Sequence, residues 1–212
     1  MMSFQRRLLA GFFAVVLAWA AVVPQVFAAD GDFSKAASDF VIDLSNQGIA
    51  IVSDKSSSEA ERAPKFKELF DRAFDVPAIG KFVLGRYWRT ATDPQKAEFL
   101  KLFERMVVQT YTNRFSEYSG EKFQLLGARL DQNSVLVSTN VLRPSGGEPI
   151  KVDWRVLSEG GSYKVVDVIV EGVSMSVTQQ QDFGSLIQRS GNGVDGLIAE
   201  LKERTSGTKA QD

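Results

Sequence analysis

Apolar residues recur at steps of three and four as far as Tyr118, alternate singly from Lys122 to Glu171, and return to helical steps after Met175. The first regular stretch, Asp30 to Ser53, predicts a helix burying Phe33, Ala37, Phe40, Val41, Leu44, Ile49 and Val52. A polar connector follows, and Ser58 with Glu61 three residues on predicts a capping box opening a second helix. That helix carries Phe66, Leu69, Phe70, Ala73 and Phe74 inward, with Pro64 offsetting its first turn. From Phe74 to Tyr118 the pattern predicts a short apolar helix (Val76, Ile79, Phe82, Val83, Leu84), a break at Gly85 and a long amphipathic helix. Asp93 is its expected N-cap, with Pro94 at the first helical position. Its stripe of Phe99, Leu100, Phe103, Met106, Val107, Tyr111, Phe115 and Tyr118 is wide and aromatic, so it needs a broad apolar partner or an apolar guest.

Four alternating runs predict strands: Lys122 to Leu130, Ser134 to Leu142, Ile150 to Leu157 and Tyr163 to Glu171. The turn-rich links between them are short, which implies an antiparallel meander. Val135, Val137, Thr139 and Val141 share one face, as do Val152, Trp154 and Val156, and Val166, Val168 and Val170. Phe183, Leu186 and Ile187 lie at helical spacing, and Val194 to Arg204 predicts a last helix with Leu197, Ile198 and Leu201 inward. The expected fold is α+β: helices packed on one face of a curved four-stranded antiparallel sheet, enclosing an apolar cavity. A stripe of Val, Phe and Trp reads the same whether that space is filled by side chains or left open to a ligand.

The first 28 residues read differently from the rest. Arg6 and Arg7 precede an apolar run from Leu8 to Val23, and Val26-Phe27-Ala28 fits a processing site, so 1–28 reads as a cleaved secretory signal peptide. An uncleaved membrane anchor is the alternative, and the shortness of the apolar run speaks against it. This leaves one domain, 29–205, and a tail, 206–212. Net charge is −1, and loss of Arg6 and Arg7 takes it to −3. No basic patch stands out, so nucleic acid is not an expected partner. The chain has no Cys and no His. Disulfides, thiolate chemistry and the commonest metal ligand and general base are thereby excluded, and no metal or cofactor is expected.

Val83-Leu84-Gly85-Arg86-Tyr87-Trp88-Arg89-Thr90-Ala91-Thr92, followed by Gln95 and a Phe-rich helix ending near Tyr111, resembles the signature of the MlaC family. A second block, Tyr163-Lys-Val-Val-Asp-Val then Glu171-Gly-Val-Ser-Met-Ser-Val-Thr-Gln-Gln, and a third, Asp195-Gly-Leu-Ile-Ala-Glu-Leu201, resemble later parts of the family in the same order. Departures are the unpatterned Asp54 to Arg62, a longer turn at Gly191-Asn-Gly193, and Tyr163 where the family often has Trp. The resemblance implies a periplasmic carrier, not an enzyme. It implies a phospholipid ligand with buried acyl tails, and two partners: an inner-membrane lipid ABC transporter complex and an outer-membrane lipoprotein–porin complex. Its expected role is in outer-membrane lipid asymmetry.

Under that resemblance, inward faces meeting across the cone nominate Phe82, Val83, Trp88, Phe103, Val107 and Tyr111 from the helices. Val137, Val152, Trp154, Val168, Val170 and Met175 are nominated from the sheet and its junction. Tyr87 and Trp88 suit the mouth, because amphipathic rings favour an apolar–polar boundary. Arg86 and Arg89 read as solvated charges, with contact to a phosphate as the alternative. Competing readings are a carrier of hopanoid or sterol-like lipid and a periplasmic chaperone with an apolar peptide groove. An isomerase or dehydratase using Asp153 and Asp167 is a further one, but alternation turns both residues away from the apolar face.

Overall fold

The computed structural model describes residues 27–206. The expected leader lies outside the described residues save for its last two positions, and the expected tail save for its first. Among the described residues six α-helices precede or follow the sheet: α1 (Phe27–Ser53), α2 (Glu59–Ala73), α3 (Val76–Leu84), α4 (Asp93–Thr112), α5 (Met175–Ser190) and α6 (Gly193–Thr205). The capping box of α2 forms as its sequence requires. The Glu61 N–H donates to Ser58 Oγ at 3.3 Å, and the Glu61 carboxylate accepts from the Ser58 N–H at 2.8 Å. Gly85 ends α3 with φ at 56°, and a 3-10 turn over Gly85–Arg89 leads on. Side chains resist that left-handed angle, and a Cβ there would also crowd the Gln180 side chain.

Two boundaries of α4 differ from the sequence expectation. Thr92, not Asp93, is the N-cap: its hydroxyl accepts from the Gln95 N–H while Gln95 Oε1 accepts from the Thr92 N–H at 2.9 Å. A reciprocal pair satisfies two end groups where Asp93 would satisfy one, and Asp93 instead pairs with Lys96 at 3.3 Å in the first turn. Thr92→Ala should therefore cost about 1 kcal/mol, read as a melting temperature ~2–4 °C lower. The helix also stops at Thr112, and a 3-10 turn over Phe115–Glu117 follows, so Phe115 and Tyr118 are not on its stripe. Phe115 is nevertheless buried, its ring edge-on to Phe66 at 5.5 Å and beneath the Arg62 guanidinium.

The sheet has strands β1 (Lys122–Asp131), β2 (Ser134–Leu142), β3 (Ile150–Glu159), β4 (Ser162–Val170) and β5 (Val173–Ser174), antiparallel in sequential order. The fifth strand exceeds the expected four. It is two residues long, and Glu171 and Gly172, both at positive φ, fold it back against β4. Two bulges bend the sheet and shift its alternation. One falls between Leu125 and Gly127 of β1, the other opposite the Arg155–Val156 step of β3. The second has a consequence for β4: Val165, not Val166, pairs with Val156 and is fully buried, while Val168 and Val170 keep the inward face. Strict alternation from Val170 misplaces that one position because a bulge adds a residue.

Packing divides into three apolar clusters. The largest is wholly helical, built by α2, α3, α4, α5 and α6 around Phe99, Phe103, Phe183, Leu84 and Leu197. The second joins Ala37 and Val41 of α1 to Val135, Val137 and Val156 of the sheet. The third joins Leu44, Leu69 and Ala73 to Val165. Phe74 links the helical cluster to the third, and its chain forms a parallel bridge to Val165, with the Asp75 N–H donating to the Val165 carbonyl at 3.0 Å. Helix α1 lies on β1, β2 and β3, whereas α2, α3 and α5 lie on β4. Different helices thus cover different strands, and α1 and α2 meet each other in the third cluster. Among the described residues no helix is long and apolar enough to cross a membrane.

Candidate functional site

The apolar face of the sheet runs in cross-strand rows. One row is Ala128, Val137, Trp154 and Val168; the next is Leu125, Thr139, Val152 and Val170; beyond them Phe123 faces Val141. The first row is closed by α1 and α2, since Val137 is fully buried in the second cluster and Trp154 and Val168 pack against the clusters at its edges. The outer rows are different. Val152, Val170, Phe123 and Val141, and Met175 at the start of α5, belong to none of the three clusters. All of these except Val152 are only half-buried. A broad apolar patch thus extends past the edge of the packed core.

Trp154 is fixed at the border of that patch. Its Nε1–H donates to Thr139 Oγ1 at 3.0 Å, and the Thr139 hydroxyl donates to the Val152 carbonyl at 3.0 Å. The indole thereby keeps its one polar group satisfied on an otherwise apolar face. Phe123 approaches its ring at 6.0 Å. Phe123 and Val141 were not among the nominated positions. The bulge at Leu126 obscures the alternation that would have placed Phe123 inward.

The helical side supplies its own apolar positions outside the three cores. Phe66 lies 6.4 Å from the Tyr111 ring, and Tyr111, at the end of α4, is 50% exposed. Val107, one turn earlier, is half-buried at the edge of the helical cluster. The remaining nominated residues fall elsewhere. Val83 and Phe103 are packed inside the helical cluster, at 1% and 4% exposure. Phe82, next to Val83 in sequence, points the other way and is exposed, because adjacent residues of a helix lie about 100° apart. Tyr87 and Trp88 are half-buried against the helical cluster.

Phe82 and Trp88 help line a separate groove of about 580 Å³ together with Lys81, Arg86, Arg89 and Gln180. Gln180 Nε2–H donates to the Phe82 carbonyl across the α3–α5 contact. Arg86 donates to the Tyr87 hydroxyl at 2.8 Å and lies over its ring, which holds that phenol below its ordinary pKa. Lys96 sits 5.7 Å from the Trp88 ring centre. Lys81 and Gln180 were not singled out in the sequence; Gln180 is ninety-eight positions from its acceptor, so only the fold brings it there.

Asp153 and Asp167 both lie on the opposite face of the sheet, as alternation requires. Asp153 accepts from Ser138 Oγ and pairs with Lys151 at 3.5 Å. Asp167 accepts from Ser174 Oγ at 2.7 Å and from the Ser176 N–H at 3.1 Å, pinning the β5–α5 junction. Each carboxylate is engaged in holding local structure.

Comparison with known proteins adds four likenesses. The family model described as MlaC protein matches residues 43–203. The intermembrane phospholipid transport system binding protein MlaC of Haemophilus influenzae is 28% identical over 131 residues, 60% of each chain. The toluene tolerance protein ttg2D of Pseudomonas putida is 28% identical over 125 residues, 58% of each chain. The matched segments thus span about 60% of the length of these curated relatives. Among solved structures, the phospholipid-binding protein from Ralstonia solanacearum, determined in complex with a phospholipid, superposes with a TM-score of 0.69 at 25% identity. That match covers 80% of this chain and 97% of the other.

Proposed function

The chain belongs to the MlaC family, and from that premise we propose that it is a periplasmic phospholipid carrier whose acyl chains occupy the outer rows of the sheet. Val152, Val170 and Met175 line that space from the sheet side, with Trp154 and Val168 at its border and Phe123 and Val141 beside them. Val107, at the edge of the helical cluster, and Tyr111, outside it, are the candidates from the helical side. Val83, Phe103 and Val137 support it as packed core. The observation that carries this reading is the likeness of fold, over nearly the whole of its partner, to a chain solved with a phospholipid.

The physics of such a carrier needs no covalent step. Each buried methylene is worth about 0.8 kcal/mol, so two tails of about sixteen carbons gain roughly 25 kcal/mol on leaving water. A bilayer offers a comparable gain. Exchange between carrier and membrane is then nearly isoenergetic, and the partners that bind each state set its direction. Those partners are an inner-membrane lipid ABC transporter complex and an outer-membrane lipoprotein–porin complex. The chain has no His or Cys, and Asp153 and Asp167 are engaged structurally on the opposite face of the sheet; both features support a carrier over an enzyme.

Native mass spectrometry and lipid extraction of the protein purified from cells test this directly. A stoichiometric phospholipid is expected. A rigid polycyclic lipid in its place would favour the hopanoid-like reading, and a protein that carries peptide but no lipid would favour the chaperone reading.

A further inference from the structure

The groove beside Trp88 carries charge of one sign. Its lining includes Lys81, Arg86 and Arg89 and no carboxylate, in a protein whose net charge is −1. Among the described residues Lys81 and Arg89 make no ion pair, and Arg86 reaches only the neighbouring Tyr87 hydroxyl and ring. Beside these cations the Phe82 ring stands in water at 47% exposure, and Val177 on α5 is a further exposed apolar side chain at 41%. Val177 lies one turn before Gln180 on α5, and Gln180 holds the Phe82 carbonyl. Lys81 and Phe82 thus stand on α3, packed against α5, while Arg86 and Arg89 stand on the 3-10 turn that follows α3.

We propose that this surface docks the protein on an anionic bilayer, with lipid phosphates meeting Lys81, Arg86 and Arg89 and the Phe82 ring entering the headgroup boundary. Unpaired cations beside exposed apolar groups match both layers of a membrane interface at once. An acidic protein surface without apolar groups of its own would satisfy the charges and leave Phe82 and Val177 without a partner. The inference goes beyond the carrier reading and stands on the surface alone. It adds a step in which the carrier meets lipid headgroups before any complex engages it.

The test uses flotation of the purified protein with phosphatidylcholine vesicles, with and without a phosphatidylglycerol fraction, at low and high salt. Binding is expected only with phosphatidylglycerol and only at low salt. A Lys81→Gln/Arg86→Gln/Arg89→Gln variant should bind on the order of 100-fold more weakly, about fivefold for each cation removed. Because Arg86 also contacts Tyr87, Phe82→Ser serves as an independent variant at an exposed position; it should weaken binding and leave the salt dependence unchanged. Bound phospholipid is measured in the same samples and should be unaffected in both variants, which separates failure of docking from failure of the carrier reading. Equal binding to both vesicle types, no binding by the parent protein, or undiminished binding by the variants overturns the proposal. So does a parent protein that ignores vesicles while the variants lose lipid transfer to a purified transporter complex, which would make the surface a protein contact.

Discussion

Val152→Asp should yield a folded protein that no longer co-purifies with phospholipid. Val152 is 7% exposed, lies between Thr139 and Val170 in its cross-strand row, and stands outside the three packed clusters. An acyl chain laid along that row excludes the water that an ionised carboxylate needs, and the desolvation cost is several kcal/mol. Lipid affinity should fall by about 100-fold or more, since ~1.4 kcal/mol is a factor of ten. Val170→Asp, at a half-buried position in the same row, should act in the same direction with less risk to folding. Circular dichroism melts and lipid extraction of both variants check the outcome. Retained lipid in the folded variants would remove Val152 and Val170 from the lining.

Phe99→Ala should have the opposite profile, a large loss of stability with lipid still bound. Phe99 is fully buried, stacks on Phe103 at 5.9 Å and meets the edge of Phe183 at 5.8 Å. Truncating such a ring costs about 3–5 kcal/mol, because the lost transfer energy is compounded by the cavity left behind. In a domain of this size that lowers the melting temperature by ~6–20 °C. Below the transition the lipid-to-protein ratio should match the parent protein. A variant of unchanged stability that lost its lipid would place the ligand inside the helical core.

The contrast between these two residues shows what the sequence could and could not convey. Phe99 and Val152 are both apolar positions on a regular stripe, and periodicity treats them alike. Helix and strand identities were legible because the apolar period changes at Gly120 and again near Met175. The Ser58–Glu61 capping box was legible as local chemistry. The Thr92–Gln95 box was equally present but was masked by Asp93 and Pro94, which compete for the same role. The shift from Val166 to Val165 was not legible, since a bulge leaves no mark in a run of consecutive Val residues. The division into three cores was hidden for a different reason. Whether Phe103 packs in a helical cluster or faces the sheet depends on which helices pack on which strands, and that is settled by contacts far apart in sequence. The same holds for Gln180, whose place in the basic groove depends on the α3–α5 contact.

The central claim is that acyl chains lie on the outer rows of the sheet's apolar face. Loading the protein with a phospholipid that carries a photoactivatable diazirine along one tail, irradiating it and mapping the adducts by peptide mass spectrometry tests that placement. Adducts concentrated on the Val152–Trp154, Val168–Val170 and Met175 segments are the predicted result; adducts confined to Val83, Phe99 and Phe103, or to the groove beside Trp88, would contradict it.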